Sequence, residues 1–137
     1  MDSETMVHFG GCHCKNVRWK VYAPSSVVAW ECNCSDCYMR ANIHFIVPAE
    51  QFELLEDSRK FLTIYTFGTH TAKHTFCKVC GITSFYYPRS NPDGVAITLR
   101  CVDPGTLTHV EIKKFDGRNW ESSYNGTGIS SCSKVQS

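Results

Sequence analysis

Seven of the nine cysteines in this chain stand in three tight groups: Cys12-His13-Cys14, Cys32-Asn33-Cys34-Ser35-Asp36-Cys37 and Cys77-Lys78-Val79-Cys80-Gly81. No other feature restricts the possible folds as strongly, because each group must bring its sulfurs to a common point. At i and i+2 of an extended segment two side chains leave the same face. A C-x-x-C turn aims two sulfurs inward, and Gly81 behind it is free to take the left-handed backbone such a turn needs. Sulfurs gathered this way either ligate a metal, for which tetrahedral zinc is the natural ion, or pair between groups as a disulfide framework. The opening Met1-Asp2-Ser3-Glu4-Thr5-Met6 is polar and acidic, without the basic start and apolar run of a secretory leader. The expectation is therefore a reducing compartment, cytoplasmic or nuclear, in which thiols persist and bind zinc.

The charges argue in the same direction by what they leave out. Fourteen Lys and Arg against thirteen Asp and Glu give a net charge of +1, scattered along the chain. There is no clustered basic face of the kind nucleic-acid binding uses, and no apolar run of membrane-spanning length. At 137 residues the chain has the size of one domain, small enough for bound metal to matter to its stability.

Periodicity favours strands. Residues 16–22 alternate polar and apolar, the pattern of a half-buried strand. Further strands are expected at 27–31, 43–47, 61–67, 71–76, 83–87, 95–99 and 109–115, with turns at Asn91-Pro92-Asp93-Gly94 and Asp103-Pro104-Gly105. A single short helix is expected over 48–55, where Pro48 suits a first turn and Glu50 and Glu53 suit the helix dipole. The predicted organisation is an N-terminal arm over residues 1–7, one zinc-binding, mainly β domain over 8–125, and a flexible, small and polar tail over 126–137.

Seven clustered cysteines divide as four plus three. A structural zinc takes four protein ligands, whereas a catalytic one keeps three and leaves a position open. Cys12, Cys14, Cys77 and Cys80 would make the closed site, and Cys32, Cys34 and Cys37 would hold a second zinc, for two per chain. The other division joins the first pair to the triplet and leaves Cys77 and Cys80 free or redox-active. Three thiolates make the bound ion a weak Lewis acid, better suited to carrying a further thiolate than to making hydroxide. The fourth position would go to water, to a substrate thiol, or to a protein ligand such as His44 or Cys101.

Other residues are weighed against plainer roles. Cys101 reads as a buried small hydrophobe and Cys132 as a bystander in the tail. His13 should point away from its neighbours' metal, and His109 opens a late strand. Arg40 could draw an anionic ligand to the open zinc, or merely offset thiolate charge. Trp19, Trp30 and Trp120 read as core.

The order Gly11-Cys12-His13-Cys14, then Cys32-Asn33-Cys34-Ser35-Asp36-Cys37, then Phe76-Cys77-Lys78-Val79-Cys80-Gly81, resembles the glutathione-dependent formaldehyde-activating enzyme family, which includes the centromere protein V type proteins. His109-Val110-Glu111-Ile112 and Trp120 fit the family's closing pattern, so the resemblance spans about residues 8 to 121. It implies two packed antiparallel sheets in a tent-like arrangement, a structural zinc on the first and third groups, and a second zinc on the triplet. It also implies the addition of glutathione's thiol to formaldehyde, as in an S-(hydroxymethyl)glutathione synthase, classed as a carbon–sulfur lyase for the reverse step. Cys32, Cys34 and Cys37 would then hold the zinc at which that chemistry happens, and the partners would be a small thiol and an aldehyde. Two further readings stand beside it: a non-catalytic zinc module for a protein or chromatin partner, and a zinc store or redox sensor whose triplet releases metal on oxidation.

Overall fold

The computed structural model describes residues 5–133. Strand alternation organises the fold, because it sends neighbouring side chains of one central sheet into two different interiors. Five strands form that sheet: Ser26–Cys32 (β3), Ile43–Pro48 (β4), Phe85–Tyr86 (β8), Gly94–Thr98 (β9) and His109–Phe115 (β10), in the order β10-β3-β4-β9-β8. A three-stranded antiparallel sheet holds Thr5–Gly11 (β1), Arg18–Pro24 (β2) and Phe52–Leu54 (β5), in the order β1-β2-β5. Leu62–Tyr65 (β6) and His74–Cys77 (β7) make a separate antiparallel pair. Two short helices, Ser35–Arg40 (α1) and Trp120–Thr127 (α2), complete the regular elements.

One face of the five-stranded sheet packs on the three-stranded sheet. Val17, Trp19 and Val21 from around β2 meet Phe45 and Val47 of β4, Val95 and Ile97 of β9, and Phe85 of β8. Trp19 is fully buried, and its Nε1 donates to Ser84 Oγ at 3.1 Å, which satisfies its polar atom. Each such side chain contributes about 1.5–3 kcal/mol by leaving water. The alternate residues of the same strands, Trp30, Ile46, Tyr86, Ala96 and Phe115, point to the opposite face and gather around Cys37 and Ile129. The central strands β4 and β9 are therefore buried on both sides, and the second face carries the site described below.

The mainly β architecture expected from the sequence is the one the chain adopts. The five-stranded sheet is mixed, because β10 lies parallel to β3, with His109 opposite Ser26 and Phe115 opposite Cys32. A connection this long leaves strand direction free, whereas a hairpin would force it antiparallel. The expected helix over 48–55 does not form. Ala49–Gln51 is one 3₁₀ turn, and Phe52–Leu54 pairs with β2, placing Lys20 opposite Glu53. Local helix signals there lose to edge pairing and to Phe52 packing beneath Trp19 and Phe85.

The chain ends also differ from expectation. Thr5–Val7 of the predicted arm belong to β1, and residues 1–4 lie outside the described residues. Part of the predicted tail is packed structure. Ile129–Ser133 forms a 3₁₀ segment, Ile129 is buried, and the Asn91 side chain donates to the carbonyls of Ile129 and Ser130 at 3.0 and 3.2 Å. Two apolar residues, Ile129 and Cys132, in a polar stretch are too few to leave a periodic signal for this. Residues 134–137 lie outside the described residues. Among the described residues no helix is long and apolar enough to cross a membrane.

Candidate metal centres and the adjoining cavity

The seven sulfurs collect as four and three. Cys12, Cys14, Cys77 and Cys80 lie with all sulfurs within 4.8 Å of one another, and Cys32, Cys34 and Cys37 do the same elsewhere. Cys14 Sγ stands 3.6 Å from both Cys12 Sγ and Cys77 Sγ. A disulfide would need about 2.05 Å. Four sulfurs around a tetrahedral zinc at about 2.3 Å lie about 3.8 Å apart, so the spacing fits the metal. The nine cysteines are all free thiols.

The four-cysteine group joins two distant turns. The first pair is not extended as expected; it sits in the connection between β1 and β2, closed by Cys12 N–H donating to Val17 O at 3.0 Å, with Lys15 at φ +70°. The second pair spans the turn after β7, where Gly81 takes φ +80°. Backbone N–H groups of Val17 and Val79 donate to Cys12 and Cys77 sulfurs, each at 3.3 Å. Burial works against ionisation of Cys80, yet backbone hydrogen bonds at Cys14 and Ile82 bring its pKa down to about 6; Cys12, by contrast, is pushed up to about 12, foremost by burial. Neighbouring sulfurs that compete this way for protons are relieved by a dication.

The triplet is built by the end of β3 and the start of α1. Cys34 is the N-cap of α1, its sulfur accepting from Cys37 N–H at 3.3 Å, and Cys34 N–H donates to Cys32 Sγ at 3.4 Å. Ala41 closes the helix in the left-handed conformation, φ +53°. Cys34 is held far below the usual thiol range, first by Cys32 and then by Cys37, while Cys32 is raised foremost by Cys34 and Cys37 foremost by Cys32. Three sulfurs this close disfavour one another's ionisation unless a cation joins them. Gly117 makes room for the cluster: a Cβ there would lie 2.7 Å from Cys32 Sγ.

Behind the triplet runs a buried polar chain. Cys37 Sγ meets the Tyr86 hydroxyl at 3.8 Å, that hydroxyl meets His44 Nε2 at 3.3 Å, and His44 Nδ1 meets Asn42 Oδ1 at 2.8 Å. His44 is thus committed to Tyr86 and Asn42 and is not part of the three-sulfur group. Burial lowers its pKa to about 4, which keeps it neutral. Beside it, His74 stacks between Phe67 and Tyr86, at 5.4 and 4.8 Å, with Nδ1 3.2 Å from Asp36 Oδ1. Burial is the main cause lowering the His74 pKa, while Asp36 pulls the other way.

The triplet lies in the wall of a cavity of about 230 Å³, which His74, Phe67, Tyr86, Arg89 and Trp120 also line. A second hollow of about 560 Å³ shares Cys32, Cys37 and Phe115 with it and reaches Tyr38, Arg100 and Lys114.

Arg40 is not among the residues of either hollow. Its guanidinium donates to Asp36 Oδ1 at 2.8 Å and Thr83 Oγ1 at 3.0 Å, so it is spent on fastening α1 to the sheet. Cys101 lies with the four-cysteine side of the core, its pKa raised to about 11, foremost by burial. Cys132 packs against the second core face, while His13 and His109 are exposed. Trp19 and Trp30 are core, but Trp120 is half-buried, lines the cavity and stacks on Tyr124. Sequence reasoning passed over His74, Tyr86, Arg89 and Gly117; each comes from a segment remote from the triplet, and none carries a spacing signal.

The chain matches the family model described as glutathione-dependent formaldehyde-activating enzyme over residues 7–118. Among solved structures it is similar to a protein from Rhodobacter sphaeroides at 32% identity, over 77% of this chain and 99% of that one, with a TM-score of 0.62.

Proposed function

The chain belongs to the glutathione-dependent formaldehyde-activating enzyme family, and from that premise we propose that it is a zinc-dependent carbon–sulfur lyase, acting on the adduct of glutathione and formaldehyde. The observation that carries this reading is a sulfur group that stops at three among the described residues and forms part of a cavity wall. Cys32, Cys34 and Cys37 would hold the second zinc, and Cys12, Cys14, Cys77 and Cys80 the structural one. Bound by three thiolates, the ion supplies a weakly acidic position suited to holding a further sulfur as thiolate.

The balance of the reaction is simple. The thiol's S–H bond gives way to an S–C bond, the carbonyl π pair moves onto oxygen, and the proton ends there as the hydroxymethyl O–H. The reverse direction breaks the C–S bond. Phe67, Phe115 and Trp120 give the cavity apolar walls that limit water. His74, whose charged form burial disfavours and which Asp36 and two stacking partners fix in place, is the wall residue suited to move the proton from sulfur to oxygen.

The test is X-ray absorption of the zinc-loaded protein with and without glutathione, followed by NMR detection of the hydroxymethyl adduct when formaldehyde is added. One of two zincs should gain a sulfur ligand, and C34S should stay folded, carry one zinc fewer and lose the response. Two zincs already saturated and indifferent to glutathione would refute the reading. With His44 held by Tyr86 and Asn42, and Cys101 on the other side of the core, no observation favours a closed, non-catalytic second site.

A further inference from the structure

We propose that Arg89 is the residue that selects an anionic thiol, receiving a carboxylate of the substrate at the solvent edge of the triplet cavity. The inference rests on the reading of that cavity as a thiol site. Among the residues lining it, Arg89 alone carries a permanent positive charge. His44 and His74 also line it, but burial disfavours their charged forms. Arg40, the candidate the sequence offered for this task, is held by Asp36 and Thr83 instead.

The geometry prepares Arg89 for a planar acceptor. Its Cζ lies 3.8 Å from the Trp120 ring centroid, and Trp120 in turn stacks on Tyr124 at 4.6 Å and 11°. Stacking engages the face of a guanidinium and leaves its N–H edge free for a two-pronged bond to a carboxylate, which a lysine cannot reproduce. The side chain is about one-third exposed, which places it between cavity and solvent. Its present partner is Glu121, at 3.3 Å, with a carboxylate side chain 81% exposed. An exposed pair of that kind is weak, so a substrate carboxylate held on the sheltered side can replace it.

The experiment is a four-way comparison by calorimetry on zinc-loaded protein. The ligands are glutathione and glutathione diethyl ester, the same skeleton with both carboxylates masked; the proteins are wild type and R89M. Comparing the ratio of affinities cancels the added bulk of the ester and any general loosening of the cavity. Wild type should prefer glutathione over the ester by about 10-fold or more, as expected for a charge-assisted bond, and R89M should lose that preference. R89K should keep only part of it, and R89Q carries the same comparison as R89M if R89M does not fold. A preference that survives undiminished in R89M or R89Q, or its absence in wild type, overturns the assignment of Arg89. Wild type that binds neither ligand overturns the thiol site itself and the role of Arg89 with it.

Discussion

On the proposed reading, in which each cysteine group holds a zinc, replacing Gly117 with alanine should weaken the triplet site and spare the other. An ideal Cβ at residue 117 lies 2.7 Å from Cys32 Sγ, 2.7 Å from Cys34 Cβ and 3.0 Å from Cys34 N. Carbon needs roughly 3.5–4.0 Å from such neighbours, so the methyl group has to displace them by about 1 Å. Two of the three atoms belong to the Cys34 backbone and Cβ, which cannot swing away as a long side chain would. Ligand distances in a zinc site hold to about 0.2 Å, so the displacement falls on the coordination itself. Overpacking of this kind costs about 1–3 kcal/mol, which converts to about a 5- to 150-fold loss of affinity. The assay is a titration of zinc-loaded protein with a competing chelator, following both metals. G117A should release its first zinc that much more readily and retain the second as wild type does. G126A is the control, since a Cβ at Gly126 meets nothing within 4 Å. If G117A holds both zincs like wild type, or loosens the four-cysteine site instead, the account of the triplet is wrong.

Cys77, 1% exposed at the end of β7, should be indispensable to folding, because the zinc proposed for the four-cysteine group would contribute folding energy outright. C77S is expected to lose near-ultraviolet dichroism and cooperative unfolding, and a normally folded variant would contradict the four-cysteine pairing. Tyr86→Phe removes the hydroxyl between Cys37 and His44; leaving His44 Nε2 buried without a partner should cost about 1–3 kcal/mol in urea unfolding, and no measurable cost would discount that chain. The His44 pKa falls to about 4 in the fold from 6.5, so the unfolded chain binds more protons between those values. Stability should therefore decline as pH drops from about 6.5 towards 4, by up to about 3 kcal/mol from this group. H44Q should flatten part of that decline, and an unchanged pH slope would remove His44 as its cause.

The cysteine spacings and the alternation along β2 were legible in the chain because both are local: a turn of three or four residues, or a period of two, is set by neighbours in sequence. His109–Phe115 was read with the bounds it adopts. The segment Phe52–Leu54 was misread because three residues are too few to show a period, and its conformation is decided by β2 alongside it. α1 was hidden inside the triplet, where Cys34 acts as a helix cap as well as a candidate ligand. The sequence by itself determined which cysteines form pairs and a triplet, and that most of the chain runs as strands. Only the tertiary structure decided that Cys14 meets Cys77, 63 residues on, that Gly117 clears space for Cys32, and that Arg89 rather than Arg40 borders the cavity. Those contacts join segments with no local relation, and they exist only once the two sheets have closed over a shared core.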